Sequence, residues 1–352
     1  MKRWPMNILQ NKLVQIALFP FSILYAMIIT IRNYCYEHSL FKSYQIDSCK
    51  IISVGNISVG GTGKTPAVEY LANLIMNNNQ QPAILSRGYK RKSKGLKVVS
   101  DGKNVLTTPE QSGDEPFLLA RNLPHVPVVV ENDRVKGASF IAETFNPDVI
   151  ILDDAFQHRR LQRDLDIVLI DASKGIGNGL TIPSGILREP LNGLQRADII
   201  SLTRVDQSDH IKRTYRKLSR HTNCPMVESI HKPISINCIS SHESYNLQSL
   251  HSCNVVIFSG IGNPQSFKKT ISELNANIAA EFTFPDHYAY SESDISRIKN
   301  RASHFNAKFI ITTEKDAMRL YHFASINSDF VYLKIRWEIL SSNLIFNNIL
   351  KL

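Results

Sequence analysis

Short apolar runs alternate with segments of helical period through most of the chain. Continuous Val/Ile/Leu runs separated by helical segments are typical of a mostly parallel sheet that is covered on both faces. The runs predicted as strands in the first two thirds of the chain are Ile51–Val54, Pro82–Leu85, Val126–Val130, Val149–Leu152, Ile167–Ile170 and Ile199–Leu202. The pattern therefore predicts a doubly wound α/β fold, in which ligands bind at the carboxyl ends of the strands.

The pattern weakens between about residues 213 and 253 and then resumes. Two strand-like pieces, Met226–Ile230 and Ile234–Ile239, lie there among polar residues, and a second α/β rhythm begins at Val255. We therefore predict an N-terminal segment over residues 1–35, a larger α/β domain over 36–224, a linking β-ribbon over 225–253 and a smaller α/β domain over 254–352.

A glycine-rich octet joins the first predicted strand to a helical segment. It consists of Ser58, Val59, Gly60, Gly61, Thr62, Gly63, Lys64 and Thr65. Glycines let backbone N–H groups converge on phosphate oxygens, and the helix N-terminus adds partial positive charge. In such a P-loop, Lys64 contacts the β- and γ-phosphates and the Thr65 hydroxyl binds Mg²⁺. The octet predicts a nucleoside triphosphate site, although Ser58 stands where the usual pattern has its first glycine.

Two adjacent carboxylates, Asp153 and Asp154, follow the predicted strand Val149–Leu152. A P-loop enzyme needs an acid at such a strand end to hold Mg²⁺ or its water shell. The alternative is a pair of solvated acids. The upstream P-loop favours the metal role.

A third candidate is the turn Gly113–Pro116, which opens a helical segment with Asp114 and Glu115. Acids at a helix N-terminus serve as caps and complement the helix dipole. Asp114 could equally be a general base that takes a proton from an acceptor hydroxyl. Spacing alone leaves both interpretations open.

Composition narrows the class of protein. Hydrophobic residues make up 43% and charged residues 20% of the 352, as in ordinary globular proteins. Five cysteines without a C-x-x-C spacing argue against a disulfide framework or a zinc site. The net charge of +10 favours acidic partners such as phosphorylated substrates or anionic lipids. No aromatic-interleaved basic stripe or known binding module supports nucleic-acid binding.

The uncharged apolar stretch Leu13–Ile31 has basic residues on both sides, namely Lys2, Arg3, Lys12 and Arg32. About twenty apolar residues can span a bilayer. However, a cytoplasmic ATP site would place the first three cations outside, against the positive-inside rule. Pro20 also weakens a straight span. We therefore predict a helix that inserts into the cytoplasmic leaflet, with a buried core helix as the alternative.

Several short strings stand out along the chain, namely Val54–Pro66, Ser86–Tyr89, Gly113–Pro116, Asp153–His158, Pro183–Pro190, Phe258–Pro264, Phe284–Tyr288 and Thr313–Asp316. Together they resemble the tetraacyldisaccharide 4′-kinases, the lipid A 4′-kinases of Gram-negative bacteria. The resemblance runs from about residue 50 to 320. Two departures are Ala155, where glycine is common, and the turn at 182–185, which is usually Leu-Pro-Ala-Gly-like.

The resemblance implies an enzyme that moves the γ-phosphate of ATP, with Mg²⁺, to the 4′-hydroxyl of a tetraacylated glucosamine disaccharide 1-phosphate, forming lipid IVA in lipopolysaccharide biosynthesis. It implies two α/β/α domains joined by a two-stranded linker, and an N-terminal helix at the cytoplasmic face of the inner membrane. Asp114 would be the base, assisted by His287. Other residues that would line the site are Glu115, His158, Arg188 and Glu189.

A membrane-bound NTPase switch that positions a partner is the alternative from another class. The P-loop and the apolar N-terminal stretch fit it equally well. It does not require Asp114 and His287 in addition to the nucleotide site, and it predicts hydrolysis without a phosphorylated product. Neither protein partners nor oligomeric state follow from the sequence.

Overall fold

The computed structural model describes residues 12–241, 243–321, 323 and 325–340. Residues 1–11 of the predicted N-terminal segment and residues 341–352 of the predicted C-terminal domain lie outside the described residues. The helices are α1 (Lys12–Glu37), α2 (Lys64–Asn77), α3 (Pro109–Ser112), α4 (Asp114–Asn122), α5 (Arg134–Phe145), α6 (Ile211–Leu218), α7 (Pro264–Glu273), α8 (Glu292–His304) and α9 (Glu314–Ala317). Short 3₁₀ turns are formed by Leu191–Arg196, Val205–Gln207 and Leu247–Leu250.

The strands follow the predicted order with several additions. They are β1 (Lys50–Asn56), β2 (Pro82–Ser86), β3 (Lys97–Asp101), β4 (Pro127–Val130), β5 (Val149–Asp153), β6 (Leu165–Asp171), β7 (Ile199–Thr203), β8 (Met226–Cys238), β9 (Ser244–Tyr245), β10 (Asn254–Ser259), β11 (Asn277–Thr283), β12 (Phe309–Thr313) and β13 (Phe330–Ile339). The α/β prediction is confirmed. Strand β3 is absent from the predicted runs because polar residues flank its short apolar core.

The described residues form two compact units. The first contains residues 12–87, 131–230 and 339–340, and the second contains residues 88–130 and 231–338. The predicted domain 36–224 placed residues 88–130 with the P-loop, and the structure assigns them to the second unit instead. The reason is tertiary: Leu118 of α4 is buried in the core that Val256 and Phe258 of β10 also form.

A parallel sheet organises the first unit. Its strand order is β8-β7-β6-β1-β5-β2, with Ile51 aligned to Ile150 and Val54 to Ile167. Strands β1, β2, β5 and β6 are almost continuously buried. Because the strands are parallel, their carboxyl ends share one edge, and the P-loop and Asp153 both lie there.

The second unit contains a parallel β11-β10-β12-β13 arrangement and antiparallel pairs β3/β4 and β8/β9. Its core is rich in aromatic side chains, including Phe258, Tyr290 and Phe330. The two strand-like pieces of the predicted ribbon are one strand, β8, which passes from the first unit into the second between Ile230 and His231.

Helix α1 is packed with its polar side inward. Ser22 Oγ donates to Thr181 O at 2.9 Å, Tyr25 Oη to Arg188 O at 2.9 Å and Asn33 Nδ2 to Glu189 Oε2 at 3.2 Å. Large apolar side chains point the other way and are exposed, as for Phe21 (62%). The alternative of a buried core helix is therefore wrong, since a core helix buries its apolar stripe.

Candidate active site

The P-loop lies between β1 and α2 and is held on both flanks. Asn56 Nδ2 donates to Thr62 Oγ1 at 3.2 Å, and Val59 N donates to Ile186 O at 2.8 Å. Gly63 precedes α2 with φ +87° and no side chain caps this helix N-terminus. A helix N-terminus without a side-chain cap leaves backbone N–H groups for an anion. A Cβ added at Gly60 or Gly61 would meet nothing within 4 Å, so space for phosphate lies beside the loop.

The departure at Ser58 has a structural reason. Ser58 forms an isolated antiparallel bridge with Leu187 and is 6% exposed. It is not among the residues with positive φ, whereas Gly60 and Gly63 are. The first position of this loop is therefore extended, and a residue with a side chain fits there without strain.

Asp153 and Asp154 follow β5 with different surroundings. Asp153 is buried and accepts a hydrogen bond from Ser86 Oγ at 2.9 Å. Asp154 has φ +53°, in the left-handed region, and its N–H donates to Val54 O at 2.9 Å. Strain of this kind is retained where the surrounding contacts fix the backbone, often at functional sites. The two carboxylates therefore lie at the same strand end but in different surroundings.

Two positively charged side chains lie close to the Asp154 carboxylate. Lys64 Nζ is 3.6 Å and Arg188 NH1 is 2.8 Å from Asp154 Oδ1. Arg188 N also donates to Ile57 O at 2.7 Å, just before the P-loop. The structure thus brings three of the predicted site residues together beside the loop. Positive side chains at this place suit the negative charge of a triphosphate.

Glu189 and His158 lie deeper than the other predicted site residues. Glu189 is fully buried and accepts hydrogen bonds from Arg196 NH2 and Gln157 Nε2, each at 2.8 Å. Burial, and next the charge of Arg134, lower the pKa of His158 to about 4, so its imidazole is neutral at pH 7. Its Nε2 is buried, with no hydrogen-bond partner among the described residues.

The donor set fits Mg²⁺ that arrives with a nucleotide. Thr65 and the acids Asp153 and Asp154 offer oxygen ligands, which Mg²⁺ prefers. Among residues 12–340, gaps aside, no group of three or more His, Cys, Asp and Glu side chains could hold a metal alone. Mg²⁺ commonly binds through one or two carboxylates together with substrate phosphates, so these residues are sufficient.

The second unit brings Asp114 and His287 together. Asp114 is the first residue of α4, after Gly113 at φ +93°. His287 Nδ1 lies 2.9 Å from Asp114 Oδ2, and Arg319 Nε donates to the same oxygen at 2.8 Å. No hydrogen bond from a described residue reaches Asp114 Oδ1. The predicted pair is therefore in contact, and one carboxylate oxygen is left for another donor.

Lys315 connects this pair to Glu115. Lys315 Nζ lies 2.7 Å from Glu115 Oε1 and 3.2 Å from His287 Nε2. An ammonium group only donates and an ionised carboxylate only accepts. The two contacts of His287 are therefore satisfied by an imidazole whose Nδ1–H donates to Asp114 and whose Nε2 accepts from Lys315. These two hydrogen bonds fix the orientation of the His287 ring beside the Asp114 carboxylate.

The charges around Asp114 keep it ionised. Burial acts to raise its pKa, but the hydrogen bond with His287 and the positive charge of Arg319 outweigh burial, so the pKa of Asp114 is lowered. Arg319 is itself fixed, because NH1 lies 3.1 Å from Oδ1 of the fully buried Asp316. A base of this kind is available at neutral pH without prior deprotonation.

A pH profile tests this electrostatic arrangement. If Asp114 is the base, as the sequence predicts, its ionised form is the active one, and the acid limb of the pH–rate profile should lie below the ordinary aspartate pKa of about 4. Arg319→Met removes a cation at 2.8 Å, and we expect the limb of kcat/KM to move upward by about one pH unit or more.

Arg319→Lys keeps a positive charge and should leave the limb nearer its original position. Arg297→Met, which changes an exposed arginine of the same unit, is the matched control and should shift nothing. If Arg319→Met and the unaltered protein had identical acid limbs, Asp114 would not be the group whose ionisation controls the rate.

Sequence reasoning missed several residues of these two groups. Lys315 lies within the string Thr313–Asp316, but nothing in that string indicates the hydrogen bond from Lys315 to Glu115. Arg319 follows four residues later, just after the end of α9, and belongs to no motif. Gln157, Thr203 and Arg204 contact the P-loop or its flank only because of the sheet order. Their partners are distant in sequence, so no local pattern could indicate them.

The fold and the first unit define a P-loop α/β protein of the phosphoryl-transfer class. The sequence profile of the family described as "Tetraacyldisaccharide-1-P 4′-kinase" matches residues 14–352. The tetraacyldisaccharide 4′-kinase of Syntrophus aciditrophicus is 39% identical over 316 residues, covering 85% of this chain and 83% of the relative. That of Pelodictyon phaeoclathratiforme is 35% identical over 351 residues, covering 96% and 97%.

A solved structure agrees with these relatives. The "apo" form of LpxK from Aquifex aeolicus, in complex with ATP, aligns with a TM-score of 0.77 and 34% identity, covering 96% of this chain and 98% of that one. The chain belongs to the tetraacyldisaccharide-1-P 4′-kinase family. The resemblance drawn from the sequence strings is confirmed, and the family favours a kinase over an NTPase switch.

Proposed function

We propose that this protein transfers the γ-phosphate of ATP to the 4′-hydroxyl of a tetraacylated glucosamine disaccharide 1-phosphate. The observation that carries the proposal is the joint presence of a P-loop and a separate, ionised Asp114 held by His287 and Arg319. A hydrolytic switch needs the first feature only. The family names and the ATP complex of the Aquifex aeolicus structure support the same reaction.

In the proposed step the acceptor oxygen attacks the γ-phosphorus, and the bond from that phosphorus to the β–γ bridging oxygen breaks. The hydroxyl proton passes to Asp114, for which Oδ1 is the oxygen without a described partner. The products are the 4′-phosphorylated lipid and ADP. Positioning and charge stabilisation supply most of the catalysis in such reactions.

Each predicted nucleotide residue has a proposed role. The backbone of Ser58–Thr65 would hold the phosphates, Lys64 and Arg188 would neutralise charge near the γ-phosphate, and Thr65 with Asp153 and Asp154 would hold Mg²⁺. When bound, Mg²⁺ would neutralise charge on the β- and γ-phosphate oxygens. Two carboxylates and a hydroxyl are enough protein ligands for Mg²⁺ that is also bound by substrate phosphates. Asp153 is placed by Ser86, and Asp154 by Lys64.

Helix α1 supports a membrane location. Its length and composition would allow it to cross a membrane. However, its polar side is bonded to the first unit from Ser22 to Asn33, while its apolar side is exposed. We therefore propose that α1 lies in the cytoplasmic leaflet of the inner membrane with its exposed face in the acyl region, where the acceptor lipid also resides.

Flotation with anionic liposomes tests this location. Leu24 and Ile28 are each 56% exposed, one turn apart on the apolar face of α1. Leu24→Glu combined with Ile28→Glu should sharply lower the bound fraction, because charged side chains resist burial in acyl chains. ATP affinity should stay within about twofold, because neither side chain belongs to the bonded polar face of α1 and surface substitutions usually have small effects.

Leu106→Glu is the matched control, since Leu106 is a 53% exposed apolar residue of the second unit. It should float like the unaltered protein. Equal flotation of the double variant and the control would contradict the proposed insertion of α1.

The function itself is tested by a transfer assay. Detergent-solubilised full-length protein, γ-labelled ATP and Mg²⁺ would be incubated with tetraacyldisaccharide 1-phosphate, and label would be followed into the lipid phase. Labelled lipid that depends on Mg²⁺ is the expected result. Labelled inorganic phosphate without labelled lipid, from protein that still binds ATP, would favour the hydrolytic switch instead.

A further inference from the structure

Helix α6 of the first unit has a packed side and a strongly basic side. Thr214 and Leu218 are buried, and Ile211 and Tyr215 are half-buried. The positively charged residues occupy the positions between these, on the opposite side of the helix. Together with the turn that follows the helix, they are Lys212, Arg213, Arg216, Lys217 and Arg220, all exposed except the half-buried Lys217. We call these five residues the α6 basic face.

The protein does not neutralise the α6 basic face. Residues 210–227 contain these five cations and no Asp or Glu. Among the residues that the structure describes, no ion pair and no side-chain hydrogen bond involves any of the five. By contrast, the same unit pairs Arg163 with Asp166 and Arg204 with Asp171. The charges of the α6 basic face are therefore available to an anionic partner.

The stability of α6 does not account for this arrangement. Like charges four residues apart on a helix repel each other, as Lys212 and Arg216 do here. Cations in the last turn complement the helix dipole, but Lys212 and Arg213 lie in the first turn, where positive charge is unfavourable. The basic face therefore destabilises α6 in the free protein, and negative charge supplied from outside would offset this effect.

The α6 basic face adjoins the exposed apolar side of α1. A groove between α1 and the rest of the first unit is lined by Phe19, Ile23, Ala26, Leu180, Leu191 and His221, among others. His221 directly follows Arg220, and its Nδ1 lies 3.1 Å from Oδ1 of Asn192, which also lines the groove. The α1 residues Phe19 and Ile23 are 43% and 45% exposed. The surface of the first unit thus passes from apolar side chains of α1 to the cations of α6.

We propose that the α6 basic face binds the anionic phospholipid headgroups of the bilayer into which α1 inserts, and is a second membrane contact of the first unit. Inserted apolar side chains beside exposed cations are the usual means by which a peripheral protein binds an anionic membrane. The proposal rests on the proposed location of α1. It adds a consequence for orientation, because a single inserted helix leaves the unit free to rotate about the helix axis and a second contact does not.

Flotation with two kinds of vesicle tests the proposal. One kind is phosphatidylcholine alone, and the other also contains phosphatidylglycerol, whose headgroup is anionic. The unaltered full-length protein should bind the anionic vesicles more tightly, and high salt should reduce the difference by screening exposed charges. Lys212→Gln combined with Arg216→Gln and Arg220→Gln should weaken binding to the anionic vesicles by about tenfold or more. Binding to phosphatidylcholine vesicles should stay within about twofold, because these cations gain attraction only from anionic lipid.

Lys97→Gln combined with Lys103→Gln and Lys308→Gln is the matched control, since it removes three exposed cations from the second unit. The two triple variants have the same net charge, so a difference in their binding comes from the position of the charges that were removed. Arg216→Lys combined with Arg220→Lys retains the charges of the α6 basic face and should bind like the unaltered protein.

The proposal is overturned if the two triple variants bind anionic vesicles equally, or if the unaltered protein binds both kinds of vesicle alike. In uncharged detergent micelles the α6 triple variant should transfer phosphate like the unaltered protein. A loss of transfer there would also overturn the proposal, because α6 would then act on the enzyme and not through the membrane.

These outcomes are distinct from failure of the proposed function. The location of α1 is tested separately by Leu24→Glu with Ile28→Glu, which should weaken binding to both kinds of vesicle. A protein whose binding to anionic vesicles depends on α6, but which does not phosphorylate the lipid, keeps this membrane contact and loses the proposed reaction.

Discussion

Replacing Asp114 by Asn is expected to reduce phosphoryl transfer to the lipid by about 10²–10⁴-fold, the usual contribution of a general base. Asn has nearly the same shape and can still accept from His287 and Arg319, but it cannot take the hydroxyl proton. ATP binding should be unchanged, because the proposed role of Asp114 is to accept the proton of the acceptor hydroxyl and not to bind the nucleotide. Single-turnover transfer and ATP calorimetry measure the two effects separately.

Asp329→Asn is the matched control for this change. Asp329 is an exposed acid of the second unit, and its carboxylate accepts from Asn327 Nδ2 within its own turn. Its removal should leave transfer within about twofold, as for most surface substitutions. A transfer rate in Asp114→Asn that matches the control would exclude Asp114 as the base and return it to the helix-capping interpretation.

The low pKa of Asp114 has a consequence for this mechanism. A carboxylate stabilised by His287 and Arg319 is a weaker base than a free one, so it does not deprotonate the acceptor in the ground state. It can take the proton as the acceptor oxygen bonds to phosphorus, when the hydroxyl becomes acidic. The proposed role of Asp114 is therefore to be correctly placed and ionised, which agrees with the limited covalent work that phosphoryl transfer demands.

The sequence predicted the features whose causes are local. The P-loop was recognisable because strand, glycines, Lys64 and helix are contiguous, and Asp153 because an acid directly follows an apolar strand. The contact between Asp114 and His287 was anticipated only through the family resemblance, since 173 positions separate the two residues. Residue spacing alone left Asp114 undecided between cap and base.

Features that depend on tertiary packing were not predictable in the same way. Residues 88–130 have the same α/β pattern as their neighbours, so no change in period marks their passage into the second unit. The inward side of α1 depends on Thr181 and Glu189, which lie far along the chain. The sequence shows only that polar residues interrupt the apolar stretch. In the structure, polar residues of α1 such as Ser22 form the face that bonds to the rest of the first unit.

Lys64→Ala is the second substitution with a large expected effect, and it should differ from Asp114→Asn in kind. Lys64 is 11% exposed at the start of α2, 3.6 Å from Asp154. Its ammonium would meet both the bound phosphates and the charge that develops during transfer. We therefore expect a higher Kd for Mg-ATP together with a loss of transfer of about 10²–10³-fold, comparable to removing one oxyanion donor.

Lys136→Ala, at an exposed position of α5 in the same unit, is the matched control and should change neither quantity. Lys64→Arg should recover part of the ATP affinity but little of the rate, because a planar fork does not reproduce a point charge. If Lys64→Ala lowered the rate without weakening ATP, Lys64 would act only on the transferred phosphate. If it changed neither quantity, the glycine-rich octet would not be the nucleotide site, and the proposed reaction would lose its phosphate donor.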